Sequence, residues 1–158
     1  MKVAIVEESA KMKGLLLVFA VLATSCYASV IDKQFSDKIR QGWENCKNLV
    51  DDATYTKLTK KWEPATTYNE KCFKKCTSEQ MGYMTGNTVN KQTLLEANPH
   101  QWPDTQELPL ANEMINECYD ETVGKQTDPC LTAGDFCDCM RKKITEKKLS
   151  FPQMYPEA

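Results

Sequence analysis

The sequence contains a single histidine, His100, and it has neither a glycine-rich phosphate loop nor a nucleophile elbow. Small secreted phospholipases and ribonucleases need a catalytic histidine beside a carboxylate or a second histidine. His100 instead stands in the segment Asn-Pro-His-Gln-Trp-Pro, which is typical of a turn. We therefore expect that the chain is not an enzyme and that it needs no cofactor.

An excess of positive charge is also missing. The chain has 20 Lys and Arg residues against 22 Asp and Glu residues, which leaves a net charge of −2 at pH 7. A protein that binds nucleic acid is normally basic, because it must neutralise phosphate groups. We therefore expect no nucleic acid among its partners.

Long hydrophobic runs are scarce, and the longest is the ten-residue run Gly14 to Ala23. A membrane-spanning helix needs about 20 apolar residues, so we expect no membrane span. Lys11 and Lys13 precede the run, and the triplet Cys26-Tyr27-Ala28 that follows it has small residues at its first and third positions. This order is typical of a secretory signal that is cleaved after Ala28.

The signal divides the chain into a leader, residues 1–28, and a secreted, extracellular domain, residues 29–158. Residues 1–11 are interpreted as an extension of the gene model, because Met12 is a more typical start for a signal than Met1. No repeat or low-complexity linker divides the remainder, so we expect one domain.

Cysteine is abundant, with eight residues, and Cys26 would leave with the signal. In an oxidising compartment the remaining spacings favour disulfides over a metal site, and zinc would also require nearby histidines. We therefore expect no metal and a disulfide framework among Cys46, Cys72, Cys76, Cys118, Cys130, Cys137 and Cys139.

Cys72 and Cys76 lie one helical turn apart, on the same face of a predicted helix. Their side chains point out nearly in parallel, which is poor geometry for a bond between them. We expect each of the two to bond a different neighbouring helix.

Apolar residues recur at helical spacing, and alternating strand patterns are almost absent. The pattern predicts an all-α fold of about six short helices. We place them at 32–50, at a short segment through Tyr55 and Trp62 that ends at Pro64, at 69–81, at 89–97 with Pro99 closing it, at 104–123 and at 130–147.

The cysteine spacing carries a resemblance to a known family. Six cysteines, from Cys46 to Cys139, are separated by 25, 3, 41, 11 and 8 residues. The segment Lys71-Cys72-Phe73-x-Lys75-Cys76 and the closing Cys130-x-x-Ala133 add two local matches. This constellation resembles the insect odorant-binding protein family, of the pheromone- and general-odorant-binding type, over the whole mature chain. The plant lipid-transfer family would require an adjacent Cys-Cys pair, which the sequence lacks.

The resemblance implies six helices around an apolar cavity and three disulfides, Cys46–Cys76, Cys72–Cys130 and Cys118–Cys139. It also implies a secreted carrier that binds small apolar organic ligands, such as odorants or pheromones, and a chemosensory receptor as a further partner. Cys137 is an addition to the family pattern. We interpret it as a buried, inert thiol, and the alternative is a bond to another chain.

The candidate ligand-binding residues are the apolar residues of the helical stripes and of the tail. They are Phe35, Ile39, Trp43, Tyr55, Leu58, Phe73, Met81, Met84, Leu94, Met114, Tyr119, Phe136, Met140, Phe151 and Tyr155. Tyr55, Tyr119 and Thr85 are candidates for hydrogen bonds that orient a ligand.

The tail beyond Lys148 regains hydrophobic residues, unlike a typical disordered terminus. We expect it to cover the cavity mouth with Phe151 and Tyr155 in the wall, and the alternative is a loose surface tail. A second hypothesis is a salivary or other secreted effector of the same fold that scavenges host amines or lipids or binds a host protein. An amine scavenger should present carboxylates inside the cavity.

Overall fold

The structure, a computed structural model, describes residues 33–152. The predicted leader 1–28 and the predicted pocket residue Tyr155 lie outside these residues. The chain divides after Phe35, and the unit that begins at Ser36 contains the core and the cavity.

Six α-helices account for most of residues 33–152, so the predicted all-α class is confirmed. No helix of the described part is long and apolar enough to cross a membrane. The helices are α1 (residues 33–46, continued by a 3-10 turn at Lys47–Leu49), α2 (Asp52–Thr59), α3 (Tyr68–Met81), α4 (Lys91–Gln101), α5 (Glu107–Thr122) and α6 (Pro129–Lys147).

Side-chain caps define where three of the helices begin. Asp51 accepts a hydrogen bond from the backbone N–H of Thr54 at the start of α2. Thr67 and Glu70 form a reciprocal capping box at the start of α3, and Asp128 accepts from two backbone N–H groups at the start of α6. Each cap satisfies donors that a helix start leaves unpaired.

Two predicted helix ends were wrong. The short second helix was expected to reach Trp62, but α2 ends at Thr59. Pro99 was expected to close the fourth helix, yet it lies inside α4, which continues to Gln101. Proline in the last turn removes one backbone hydrogen bond and leaves few later bonds to disturb, so the packing of α4 outweighs this loss.

A short antiparallel hairpin between α3 and α4 was not predicted. β1 (Met84–Thr85) pairs with β2 (Thr88–Val89). Gly86 stands in the turn with a φ of 59°, a backbone conformation that glycine adopts at little cost. Strands of two residues are too short to show an alternating pattern in the sequence.

Three disulfides connect four of the helices. Cys46–Cys76 joins α1 to α3, Cys72–Cys130 joins α3 to α6, and Cys118–Cys139 joins α5 to α6. These are the pairs that the family resemblance implied. Cys72 and Cys76 therefore hold one helix, α3, to two different neighbours.

The core lies mainly among α4, α5 and α6. α3 packs on α6, α6 packs on α5, and α5 packs on α4. Met114, Ile115 and Cys118 from α5 have almost no exposed surface, and Phe136 and Ile144 of α6 lie against them. This arrangement leaves the cavity between α3, α4 and the opposing faces of α1 and α6.

Candidate ligand-binding site

A cavity of about 90 Å³ lies among the helices. Its apolar wall combines aromatic, aliphatic and sulfur-containing side chains: Ile39, Trp43, Trp62, Met81, Leu94, Trp102, Ile115, Cys137 and Met140. Its polar groups come chiefly from α3 and α4 and from the residue after Gly82: Lys74, Thr77, Ser78, Tyr83, Asn98 and Gln101.

One face of α3 contributes four of these residues. Lys74, Thr77, Ser78 and Met81 are spaced three or four residues apart, so they project from the same side of the helix. The disulfides of Cys72 and Cys76 hold this helix against α6 and α1. The α3 wall of the cavity is therefore anchored covalently on two sides.

All three tryptophans of the chain line the cavity. The indole N–H of Trp102 donates to the backbone oxygen of Ser150, 2.9 Å away. Trp62 has a φ of 50°, and its backbone oxygen accepts from Arg141 Nε at 3.0 Å. A left-handed backbone costs a non-glycine residue roughly 1–2 kcal/mol, so packing and the Arg141 bond hold the Trp62 ring in place.

Tyr83 brings a buried hydroxyl without a partner to the cavity. Among the described residues, its oxygen has no hydrogen-bond partner, and it is the one buried side-chain polar atom of which this is true. Burial raises the pKa of Tyr83 well above its usual range, so the phenol stays protonated. A buried, unpaired hydroxyl normally costs about 1–3 kcal/mol, and a ligand with a hydrogen-bond acceptor would remove that cost.

Lys74 brings a buried amine to the same cavity. The residue is 9% exposed, and Nζ donates to the backbone oxygen of Leu58 at 3.0 Å. Burial lowers the pKa of Lys74, and the nearby Asp138 and Glu70 oppose that effect. An amine that can carry a positive charge is therefore part of a largely apolar wall.

Cys137 has a free thiol in the cavity wall. Burial raises its pKa above the ordinary value, although Lys74 nearby works in the opposite direction. The thiol is therefore protonated at neutral pH, and a protonated thiol is a poor nucleophile. The residue is partly exposed, so the interpretation of Cys137 as a buried, inert thiol stays a prediction.

Five of the fifteen predicted ligand-binding residues line the cavity: Ile39, Trp43, Met81, Leu94 and Met140. Five others are buried in the protein interior outside the lining: Leu58, Phe73, Met84, Met114 and Phe136. Phe35 belongs to the N-terminal unit of the chain. Ligand contacts by the residues outside the lining remain predictions.

The predicted hydrogen-bonding residues lie outside the lining. The Tyr55 hydroxyl donates to Glu44 at 2.6 Å. The Tyr119 ring lies 4.7 Å from the amine of Lys91, and Thr85 accepts from the side chain of Asn90 at 3.1 Å. All three therefore have protein partners.

Several lining residues were missed in the sequence. Trp62, Tyr83 and Trp102 stand in connecting segments, where helical periodicity carries no signal. Lys74, Thr77 and Ser78 share a helix face with Met81 and could have been found from that spacing. They were not among the candidates, because that set was restricted to apolar residues.

The described start of the tail packs on the helices. Leu149 is buried, and the N–H and hydroxyl of Ser150 both donate to the Glu107 carboxylate, each at 2.6 Å. Phe151 is 58% exposed and contacts Trp62 edge to face, with the ring centroids 6.2 Å apart. The tail therefore touches a residue of the cavity wall.

Comparison with known proteins agrees with this architecture. The PBP/GOBP family model matches residues 28–143. The odorant-binding protein dmelOBP28a from Drosophila melanogaster is 22% identical, with a TM-score of 0.64 over 75% of this chain and 99% of that one. The fatty acid binding protein OBP56a from the oral disk of the blowfly Phormia regina is 25% identical, with a TM-score of 0.53 over 70% of this chain and 91% of that one.

A comparison with curated proteins finds no significant match. The family model nevertheless covers most of the chain, and it includes the six cysteines that form the three disulfides. The chain belongs to the PBP/GOBP family.

Proposed function

We propose that the protein is a secreted carrier that binds and solubilises small hydrophobic ligands, such as odorants or pheromones, in the cavity between its helices. The observation that carries the proposal is the cavity wall itself, which contains three tryptophans and a tyrosine whose buried hydroxyl lacks a partner among the described residues. One similar structure is described as an odorant-binding protein and another as a fatty acid binding protein.

Secretion is supported by two features. Three disulfides suit an oxidising compartment. The family match begins at residue 28, the last residue of the leader proposed from the sequence. A chemosensory receptor as partner, and binding in place of catalysis, belong to the same proposal.

The cavity must enlarge to hold a typical ligand. Small-molecule sites usually measure about 300 Å³ or more, and this cavity measures about 90 Å³. Met81 and Met140 stand in its wall, and methionine adapts its shape more readily than branched side chains do. Entry of a ligand would therefore displace wall side chains rather than fill a preformed space.

The composition of the cavity lining favours a carrier over an amine scavenger. Of the described residues that line the cavity, none is Asp or Glu. An amine ligand would need a carboxylate to replace its hydration. The effector hypothesis in its amine-scavenging form therefore lacks the group it requires.

The proposal is tested by displacement of a fluorescent apolar probe. A medium-chain alcohol, aldehyde or ester should displace the probe at micromolar concentration, while a sugar of similar size should not. A probe that does not bind, or that none of the three apolar compounds displaces, would count against a carrier.

Tyr83→Phe should separate ligand binding from stability. Without a ligand, the variant should be more stable by about 1 kcal/mol, because it no longer buries an unpaired hydroxyl. With a medium-chain alcohol or ester, it should bind several-fold more weakly, whereas affinity for a hydrocarbon of equal length should not fall. Urea denaturation and probe displacement measure the two effects.

Tyr55→Phe is the matched control, because the Tyr55 hydroxyl is bonded to Glu44 outside the cavity lining. It should leave ligand selectivity unchanged. Equal weakening of alcohol and hydrocarbon binding by Tyr83→Phe would show that the hydroxyl does not contact the ligand.

Phe151→Ala should accelerate ligand release, because we propose that the tail covers the cavity at Trp62. Dissociation of the probe should become about tenfold faster, which corresponds to about 1.4 kcal/mol. Stopped-flow fluorescence gives the rate, and truncation after Lys148 should increase it at least as much. The role of Tyr155 in the same cover remains a prediction.

Leu49→Ala provides the comparison for the tail variants. Leu49 is 38% exposed, and it lies in the 3-10 turn after α1, outside the cavity lining. Its substitution should leave the release rate unchanged. If Phe151→Ala releases the probe as slowly as Leu49→Ala does, the tail is not a cover.

A further inference from the structure

The environment of Lys74 is unusual for a lysine. The side chain reaches from α3 into the interior, and the residue is only 9% exposed. Lysine is almost never buried to this degree without a partner of opposite charge. Among the described residues, no carboxylate forms an ion pair with Lys74, and its hydrogen bond is to the backbone oxygen of Leu58.

A structural role accounts for part of this environment. Leu58 stands in the last turn of α2, where backbone oxygens lack helical partners, and a lysine there satisfies one of them. An ammonium group has three N–H donors, however, and this bond uses one. The cap therefore leaves two donors of a buried group without an acceptor in the part of the chain that the structure describes.

The nearby acidic groups do not supply that acceptor. Glu70 is engaged by Lys57 at 2.9 Å and by the N–H groups of Thr66 and Thr67. Asp138 and Glu70 act on Lys74 through charge, and neither bonds it directly. Arg141, also nearby, adds a second positive charge. Glu70 and Asp138 balance part of this positive charge, but they leave the remaining N–H donors of Lys74 without an acceptor among the described residues.

Lys74 is also part of the cavity wall, with Trp43, Trp62 and Met140 among its companions. None of the described lining residues is acidic, so an anionic group in the cavity would touch no carboxylate of the wall. The apolar members of the wall would hold a hydrocarbon chain. The amine of Lys74 and an apolar surface therefore belong to the same cavity.

We propose that Lys74 anchors a ligand with a carboxylate head, a monocarboxylic acid with an apolar tail, inside the cavity. This inference rests on the proposed carrier function and narrows its ligand class. The carboxylate accepts the two remaining N–H groups of Lys74, and the tail lies against the tryptophan and methionine side chains. Hydrogen bonds between charged groups are stronger than neutral ones, so the acid binds in preference to its uncharged analogues.

The test compares three compounds of equal chain length: a medium-chain carboxylic acid, its methyl ester and the corresponding alcohol. Each displaces a fluorescent apolar probe from the whole protein at pH 7.5. The wild-type protein should bind the acid about 30-fold more tightly than the ester, the range expected for hydrogen bonds to a charged group. Lys74→Met should remove this preference while the affinity for the ester stays within about threefold.

Lys75→Met is the matched control on the same helix. Lys75 pairs with Glu79 at 2.8 Å and does not line the cavity. It should retain the full preference for the acid. Lys74→Arg, which keeps the positive charge, should retain most of it.

The outcomes distinguish this inference from the carrier function. If ester and alcohol displace the probe as well as the acid does, the carrier function stands and the role of Lys74 is overturned. Equal weakening of acid and ester by Lys74→Met overturns it too. If none of the compounds displaces the probe, both proposals fail. Should Lys74→Met not fold, the ratio of acid to ester affinity in the wild-type protein still decides the matter.

Discussion

Replacing Cys72 and Cys130 together with serine should lower the free energy of unfolding by about 4 kcal/mol. The bond closes a loop with a sequence separation of 58 residues, the longest of the three disulfide loops. A crosslink stabilises mainly by restricting the unfolded chain, and the restriction grows with loop length. Both cysteines are only half buried, so the serine hydroxyls can reach water and add little cost of their own.

Denaturation in guanidinium under non-reducing conditions measures this loss. Cys137→Ser serves as the control, because Cys137 is not bonded and its replacement changes no loop. It should cost far less than the double replacement. If the double replacement cost no more than Cys137→Ser, the Cys72–Cys130 crosslink would not be the source of this stability.

Replacing Glu70 with glutamine should cost about 3 kcal/mol at pH 7. Burial raises the pKa of Glu70, but the bonds from Lys57 and from Thr67 and Thr66 outweigh it and lower that pKa to about 2, from an ordinary 4.5. The folded protein therefore binds this proton less tightly than the unfolded chain does. Each unit of pKa difference corresponds to about 1.4 kcal/mol, and the Glu70 side chain is only 7% exposed, so solvent screens the effect little.

The direction of the Glu70 pKa shift determines the pH range in which its contribution to stability is lost. The stability from Glu70 is fully present above about pH 4.5 and is lost as the pH falls from there towards about 2. Unfolding free energies measured between pH 7 and pH 2 should decline in this range for the wild-type protein. The decline should be shallower for Glu70→Gln.

Glu79→Gln is the control, since its pair with Lys75 lies near the surface within the same helix. Its effect should be below about 0.5 kcal/mol, as is usual for such pairs. Parallel acid curves for Glu70→Gln and the wild-type protein would show that the Glu70 carboxylate is not the group responsible.

The helices could be predicted because their apolar residues recur with one period and their ends carry caps. Asp51, for example, caps the start of α2, and Gly82 caps the end of α3. The end of the fourth helix was predicted wrongly at Pro99, because proline disturbs few backbone hydrogen bonds in the last turn of a helix. The hairpin could not be found, since its geometry depends on Gly86 more than on any side-chain pattern.

The cavity was harder to predict than the fold. Apolar stripes show which residues face inward, but they do not separate a packed core from a cavity wall. Phe73 and Met81 belong to the same helix, yet Phe73 is packed in the interior and Met81 reaches the cavity. Lys74 was passed over because a lysine in a helix normally faces water, and only tertiary packing shows that it does not.

The disulfides restrain some helices of the protein more than others. The bonds link α1, α3, α6 and α5 into one continuous covalent path, and α4 has no place in it. α4 supplies Leu94, Asn98 and Gln101 to the cavity wall, and it is held mainly by packing against α5. Stretching the cavity towards α4 strains no crosslink, whereas stretching it towards α1 or α6 works against one. We therefore expect the cavity to expand more easily towards α4 than towards α1 or α6, and the packing of α4 on α5 to limit the size of ligand that fits.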